Sequence, residues 1–138
     1  MNNLSVIDQV KVLVRYNGKY LLLKKVKDIH PDHIGCFEVP GGKVKPKEDS
    51  IFAALREVKE ETGLNCKIIT ELKPLNLDKE GIHTLTRIFL AESFTAHVNL
   101  SKEHSDYIWV VLNEINYLDK VIYKELLLQY VGWAEKVV

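Results

Sequence analysis

Asn17-Gly18 is the feature of this sequence that most constrains its fold, because it separates two runs with strand character. In residues 9–16 the apolar side chains of Val10, Val12 and Val14 fall on one face of an extended chain. Asn-Gly is the strongest short hairpin signal, since both residues tolerate the positive φ angles of a tight turn. The sequence therefore predicts an antiparallel hairpin whose second strand covers residues 19–25.

Residues 50–62 form the clearest helical segment, with Asp49 or Ser50 as the N-cap and Gly63 as the C-terminal stop. Apolar residues recur at helical spacing, which predicts one buried side. The residues expected on that side are Ile51, Phe52, Leu55 and Val58.

Further strands are predicted at residues 36–39, 66–73, 83–92 and 107–112, and a last helix at 118–136. A sheet covered by two helices belongs to the α/β or α+β class. The chain has 138 residues, a length typical of one domain with its own core. We expect a single domain over residues 1–138.

Composition excludes several classes of protein. Nineteen basic and nineteen acidic side chains cancel, which argues against a strongly basic nucleic-acid binder. The longest apolar run, 107–112, is far shorter than the ~20 residues of a membrane span, and the N-terminus lacks the pattern of a secretory signal. Cys36 and Cys66 lie in no CxxC motif and are expected to be buried free thiols. We expect a cytoplasmic protein with neither membrane segment nor stable nucleic-acid binding.

Glu57, Glu60 and Glu61 have i, i+3, i+4 spacing on the predicted helix, which places their carboxylates within about a 100° arc opposite the apolar side. Like charges at this spacing repel. The arc is therefore either a solvated acidic face or a site for a cation. Mg²⁺ prefers oxygen ligands and commonly binds carboxylates together with substrate phosphates.

A longer motif contains these glutamates. Gly42 to Leu64 reads GKVKPKEDSIFAALREVKEETGL, which fits G-x5-E-x7-R-E-U-x-E-E-x-G-U at every fixed position, where U is a bulky apolar residue. This string resembles the defining motif of the Nudix hydrolase family, and FEVPGG at residues 37–42 resembles the strand that precedes it. The resemblance implies an α/β fold, the Nudix-type α/β/α sandwich, in which helices flank a mixed β-sheet.

The resemblance also implies roles for individual residues. The metal-binding and base positions are matched by three glutamates, Glu57, Glu60 and Glu61. A backbone carbonyl ligand is matched by Gly41, in a tight turn. The positions that orient the carboxylates are matched by Arg56 and Glu48. The cation expected from the resemblance is Mg²⁺, with Mn²⁺ as a substitute.

Some family members use one more glutamate, as a ligand or general base, from a loop before a late strand. Glu103 is the best match in this sequence, and His104 and Asp106 are the alternatives. Lys43, Lys45 and Lys47 either attract an anionic substrate or form a solvated loop edge. His30 and His33 lack companion ligands at zinc spacing and are not expected to bind a metal.

The family hydrolyses a nucleoside diphosphate linked to another group. The position fifteen residues after Leu64 is Lys79, not the proline of many ADP-ribose hydrolases, and residues 80–82 lack the tyrosine of diadenosine polyphosphate hydrolases. Elimination leaves a MutT-like pyrophosphohydrolase that releases NMP and pyrophosphate from a (d)NTP. The alternatives are an ADP-ribose or nucleotide-sugar pyrophosphatase and a non-catalytic nucleotide-binding domain. A small-molecule nucleotide is the expected partner, for a monomer or a homodimer.

Overall fold

The structure is a computed structural model that describes residues 5–138. The first four residues of the N-terminal segment considered above lie outside this range. The elements in chain order are β1 (Ser5–Tyr16), β2 (Lys19–Lys25), β3 (Phe37–Glu38), β4 (Gly41–Lys43), α1 (Ser50–Thr62), β5 (Cys66–Glu71), β6 (Leu75–Lys79), β7 (Ile82–Ser93), β8 (His104–Val110), α2 (Leu112–Tyr117) and α3 (Lys124–Val137).

The predicted N-terminal hairpin is present. Strands β1 and β2 pair antiparallel around Asn17 and Gly18, whose φ angles are 50° and 78°. Two consecutive positive φ angles are the signature of the type I′ turn that Asn-Gly favours. This turn sets the register of β2, whose outer edge then pairs with β8.

The sheet is mixed because β1 runs parallel to β7 and antiparallel to its other partners. The main path through the eight strands is β3-β2-β1-β7-β5. Strand β4 pairs with β1, β6 with β7 and β8 with β2. Strand β1 therefore lies at the centre, between the long parallel partner and the short glycine-containing strand β4.

Two hydrophobic cores lie on opposite faces of this sheet, because successive side chains of a strand point to opposite faces. In β2, Leu21 and Leu23 pack with α1, whereas Leu22 packs with α3. The central strands are therefore apolar on both sides, as expected for a sheet covered twice. This arrangement confirms the α/β/α sandwich around a mixed sheet.

Helix α1 buries only part of the face expected: Val58 is buried and Leu55 is half-buried, but the two residues of its first turn are not. Ile51 and Phe52 are 47% and 63% exposed, whereas Ala53, Ala54 and Val58 are buried in the core. The small alanines let α1 approach the sheet closely, so the helix is rotated relative to the simplest apolar stripe. Its rotation brings part of the acidic arc, expected to lie opposite the core, toward the sheet.

Three further expectations need correction. Strand β6 was not predicted, because its residues 75–79 are largely exposed and carry little apolar pattern. Strand β8 begins and ends earlier than residues 107–112, since Leu112 starts α2. The last helix begins at Lys124, not at residue 118, because Lys120 and Tyr123 have φ angles of 53° and 49°, which are incompatible with a continuous α-helix.

Both cysteines are free thiols, as expected, but Cys36 and Cys66 are half-buried rather than fully buried. None of the helices within residues 5–138 combines the length and the hydropathy that a membrane-spanning segment requires.

Candidate active site

Helix α1 has well-defined ends, which fix the orientation of its acidic side chains. The Asp49 carboxylate accepts hydrogen bonds from the backbone N–H groups of Ile51 and Phe52, at 2.7 and 3.4 Å. Gly63 closes the helix with φ 74°, and its N–H donates to the Lys59 carbonyl. Of the two predicted N-caps, Asp49 is therefore the residue used, and the predicted stop at Gly63 is confirmed.

The three glutamates of α1 differ strongly in exposure. The side chain of Glu60 is 54% exposed, whereas those of Glu57 and Glu61 are 15% and 7% exposed. A purely solvated acidic face would leave all three in water. The structure instead turns two of the carboxylates toward the sheet.

Arg56 stands at the centre of this acidic group. Its Nε and Nη2 donate to the two oxygens of Glu48, at 2.6 and 3.0 Å, and its Nη1 donates to Glu57 at 2.9 Å and to Glu60 at 3.1 Å. These bonds from Arg56, together with one from the Lys45 N–H, lower the pKa of Glu48 to about 2. One guanidinium thus orients three carboxylates and leaves the group negatively charged overall.

Gly41 and Gly42 let strand β4 approach α1 closely. A Cβ atom at Gly42 would lie 2.4 Å from the carboxyl carbon of Glu57, and one at Gly41 would lie 2.2 Å from the Val10 carbonyl oxygen. The Gly41 N–H donates to Glu61 Oε1 at 2.9 Å. The predicted tight turn is wrong, because both residues belong to β4 and the required property is the missing side chain.

Glu61 belongs to a second, buried group with Glu38 and His104. His104 Nε2 lies 3.0 Å from Glu38 Oε2, and His104 Nδ1 lies 4.0 Å from Glu61 Oε2. Burial raises the pKa of Glu61 to about 8, although the Gly41 N–H and the charge of Lys11 oppose the shift. A nearby cation would favour the ionised form of a carboxyl group in this environment and so lower its pKa.

Glu38 is ionised despite its burial. Burial alone would raise its pKa, but the hydrogen bond with His104 and the charges of Lys11 and Lys25 lower it to about 2. The two lysine Nζ atoms lie 3.3 and 3.5 Å from the Glu38 carboxylate. Sequence reasoning did not assign Glu38 a site role, although it lies in the FEVPGG string beside the motif.

Glu103, the loop residue expected as a further ligand or general base, lies close to Glu61. Each of Glu61, Glu103 and His104 offers one atom that could bind a metal ion, and these three atoms lie within 4.8 Å of one another. The charge of Glu103 also contributes to the raised pKa of Glu57, for which burial is the main cause. Of the alternatives, the structure brings His104 into the group, whereas Asp106 is exposed and bonds Ser105.

A cavity of ≈ 640 Å³ lies beside the second group: its lining includes Glu38 and the two lysines that pair with it, Lys11 and Lys25, but none of the α1 glutamates, Glu103 or His104. Lys43 is the one lysine of the predicted trio that lines the cavity. Most of the remaining wall is apolar. The other wall residues with polar side chains include Gln9, Asn76, Thr84 and Thr86. The volume is within the range of small-molecule sites.

His30 and His33 also line the cavity, and their rings pack edge to face with their centroids 5.3 Å apart. His33 Nδ1 lies 3.6 Å from Asp28. Neither histidine belongs to the Glu61–Glu103–His104 group.

The NUDIX domain model matches residues 8–130 of this chain. The chain is 36% identical over 99 residues to YtkD of Bacillus subtilis strain 168, a match that covers 71% of this chain and 54% of YtkD. The chain thus spans about half the length of that relative. It is 30% identical over 121 residues to NudI of Escherichia coli K12, which covers 78% of this chain and 83% of NudI.

Solved structures agree with these matches. The crystal structure of the MutT protein from Methanosarcina mazei Go1 superposes with a TM-score of 0.80 and 27% identity, covering 97% of this chain and 98% of that protein. The motif, the sandwich and the carboxylate group occur together in the same chain. This chain therefore belongs to the Nudix hydrolase family.

Proposed function

We propose that this protein hydrolyses a nucleoside triphosphate to a nucleoside monophosphate and pyrophosphate, and that the reaction depends on Mg²⁺ or Mn²⁺. The observation that carries this proposal is the group of carboxylates held by Arg56, whose guanidinium also donates to the carbonyl of Lys43, a residue that lines a cavity of ≈ 640 Å³.

The residues fit a divalent cation. Their donors are carboxylate oxygens, the ligands that Mg²⁺ prefers, and a single arginine leaves their charge incompletely balanced. When bound, such a cation neutralises phosphate oxygens and promotes deprotonation of an attacking water. The residues that would hold it are Glu57, Glu60, Glu61 and Glu103, together with the carbonyl oxygen of Gly41.

The protein's own part in the reaction is to position these groups. Arg56, itself held by Glu48, orients Glu57 and Glu60 through charge-assisted hydrogen bonds. The Gly41 N–H holds Glu61. A carboxylate of this group accepts the proton of the attacking water as the phosphoanhydride bond breaks.

The adjoining cavity supports a nucleoside-containing substrate. Its apolar wall suits a base, while Gln9 and Asn76 offer amide groups that can form hydrogen bonds with it. Lys11 and Lys25, which pair with Glu38, and Lys43, whose carbonyl accepts from Arg56, also line the cavity, where their charges favour an anionic chain. The cavity thus connects a site for the base with a site for phosphates.

The names of two relatives favour triphosphates over the alternatives. NudI is named a nucleoside triphosphatase, and YtkD carries the provisional name 8-oxo-dGTP diphosphatase. Neither name refers to ADP-ribose or a nucleotide sugar.

A substrate panel tests this proposal. The protein is incubated with Mg²⁺ and each of the common dNTPs, 8-oxo-dGTP, ADP-ribose, a nucleotide sugar and a dinucleoside polyphosphate, and products are identified by ³¹P NMR. We expect triphosphates to be the best substrates and to yield NMP and pyrophosphate. Preferred cleavage of ADP-ribose to AMP and ribose phosphate, release of orthophosphate from triphosphates, or binding without turnover would each contradict it.

A further inference from the structure

His104 is a buried histidine beside the carboxylates proposed to bind the cation. Its side chain is 1% exposed, and it lies at the first residue of β8, between Glu38 and Glu61. The imidazole is therefore fixed by the sheet and has one nitrogen facing each carboxylate.

The hydrogen bond to Glu38 determines which nitrogen carries the proton. Glu38 forms ion pairs with Lys11 and Lys25 at 3.3 and 3.5 Å, and a carboxylate in such pairs can only accept hydrogen bonds. His104 Nε2, at 3.0 Å, must therefore be the donor. In the neutral imidazole, Nδ1 then carries a lone pair.

Nδ1 is left without a hydrogen-bond partner among residues 5–138, although it is buried. Buried polar atoms are rarely left in this state, and each needs an explanation. The atom faces Glu61 Oε2 at 4.0 Å, and Glu103 contributes another oxygen within the same 4.8 Å group. A lone pair that faces two carboxylates is a donor set for a cation.

We propose that His104 Nδ1 is a metal ligand, together with Glu61 and Glu103, and that this mixed nitrogen and oxygen site selects a first-row transition-metal dication over Mg²⁺. Metal-binding histidines usually donate their second N–H to a carboxylate, which is the role that Glu38 has here. Imidazole favours metals such as Co²⁺ and Zn²⁺, whereas Mg²⁺ favours oxygen alone.

This inference rests on the proposed function in one respect, namely that a divalent cation binds beside Glu61. The proposed function and the nitrogen ligation can fail separately. Triphosphate turnover with Mg²⁺ tests the proposed function, whereas nitrogen ligation is tested by binding and spectroscopy on the full chain without substrate.

Co²⁺ is the probe, because a cobalt-bound imidazole gives a strongly shifted proton NMR signal from its N–H. We expect the parent protein with Co²⁺ to show such an exchangeable signal from His104 Nε2–H. His104→Gln should abolish that signal and raise the calorimetric Kd for Co²⁺ by at least about 10-fold, while the Kd for Mg²⁺ changes by less than about 3-fold. The matched control is His97→Gln, an exposed histidine outside the group, which should leave both unchanged.

The inference is overturned if the parent lacks the shifted signal, if His104→Gln retains it, or if the affinities for Co²⁺ and Mg²⁺ fall equally. Since His104 is buried, circular dichroism must show that this variant is folded. If it is not, Glu103→Gln replaces it, because the Glu103 side chain is exposed. That variant should keep the shifted signal and weaken Co²⁺ binding at least about 10-fold. Unchanged Co²⁺ affinity would overturn the proposed donor set.

Glu38→Gln tests the tautomer argument. Glutamine can still accept the hydrogen bond from Nε2, but it lacks the negative charge that makes the imidazole a better ligand. We expect the shifted signal to persist and the Co²⁺ Kd to rise about 10- to 100-fold. Unchanged Co²⁺ affinity would contradict the role of Glu38.

Discussion

Arg56 is the residue on which the order of the acidic group depends, because its guanidinium contacts Glu48, Glu57 and Glu60. Lysine keeps the charge but cannot form this planar set of hydrogen bonds. We expect Arg56→Lys to lower kcat about 10- to 100-fold and to raise the Mg²⁺ concentration needed for half-maximal activity.

Arg87→Lys is the matched control for this variant. The Arg87 side chain is 43% exposed and pairs with Glu71 at 3.4 Å, far from the α1 motif in sequence. Its replacement should leave both kinetic quantities unchanged. Equal kinetics for Arg56→Lys and Arg87→Lys would show that the guanidinium geometry does not matter to the reaction.

The thiol of Cys66 gives a second prediction at this scale. Burial raises its pKa to about 11, partly opposed by a hydrogen bond with Ser93. The thiol therefore remains protonated at pH 8, and thiolate is the form that reacts. We expect iodoacetamide at pH 8 to label Cys36 well before Cys66 in the folded protein and both alike in urea, as measured by mass spectrometry. Faster labelling of Cys66 in the folded state would contradict its placement.

Single residues were predictable from the sequence where a local motif contained them. Glu57, Glu60 and Glu61 share one helix, so their spacing alone places their carboxylates near one another. The sequence does not show that Glu61 is buried or that His104 contacts Glu38, because these contacts join α1, β3 and β8. Pairing of distant strands, rather than any local pattern, brings them together.

At the scale of elements, the contact between β4 and α1 explains why the motif requires a glycine. A Cβ at Gly42 would lie 2.4 Å from the carboxyl carbon of Glu57. We expect Gly42→Ala to displace Glu57 and to lower kcat about 100-fold, since misplacement of a catalytic group by about 1 Å has an effect of that size. Steady-state kinetics and circular dichroism measure the loss and confirm the fold.

Gly132→Ala is the matched glycine substitution in α3. Nothing lies within 4 Å of a Cβ at this position, and alanine is the better helix former. We expect it to increase the free energy of unfolding in urea by about 0.5–1 kcal/mol and to leave kcat unchanged. A loss of activity in Gly132→Ala as large as that in Gly42→Ala would remove the argument for close approach.

The elements that the sequence predicts well are those with strong local signals. The Asn17-Gly18 turn and the ends of α1 are examples, because cap and turn residues act on their own backbone. Strand β6 has no such signal, since it is stabilised by pairing with β7. The start of α3 depends on the left-handed conformation of Tyr123, a tertiary feature without a sequence pattern.

For the molecule as a whole, burial of Glu61 predicts a pH dependence of stability in metal-free protein. The pKa of Glu61 is about 8 in the folded state, above its ordinary value of 4.5, so the folded state binds the proton more tightly. The protonated Glu61 therefore contributes to the free energy of unfolding. This contribution is complete below pH 4.5 and is lost as the pH rises through 8, by at most about 1.4 kcal/mol per pH unit. The charges of neighbouring residues also change the pKa of this carboxyl group: Lys11 lowers it, and Glu38 and Glu57 raise it.

Urea unfolding in EDTA from pH 5 to 8 measures this effect. The lowered pKa values of Glu38 and Glu48 act only below about pH 4.5 and do not contribute in this window. Glu61→Gln cannot ionise, so its stability relative to the parent should increase steadily with pH. A difference that stays constant from pH 5 to 8 would contradict the buried environment of Glu61.

The central claim is that the carboxylates of α1 hold the divalent cation needed for phosphoanhydride hydrolysis. The most direct measurement is the kcat for triphosphate hydrolysis with Mg²⁺ in Glu60→Gln, Glu61→Gln and the exposed control Glu125→Gln. Loss of a charged ligand removes several kcal/mol of transition-state stabilisation, so we expect the first two to lose about 10³-fold and the control to match the parent. Activity of Glu60→Gln and Glu61→Gln within a factor of two of the parent would contradict the account.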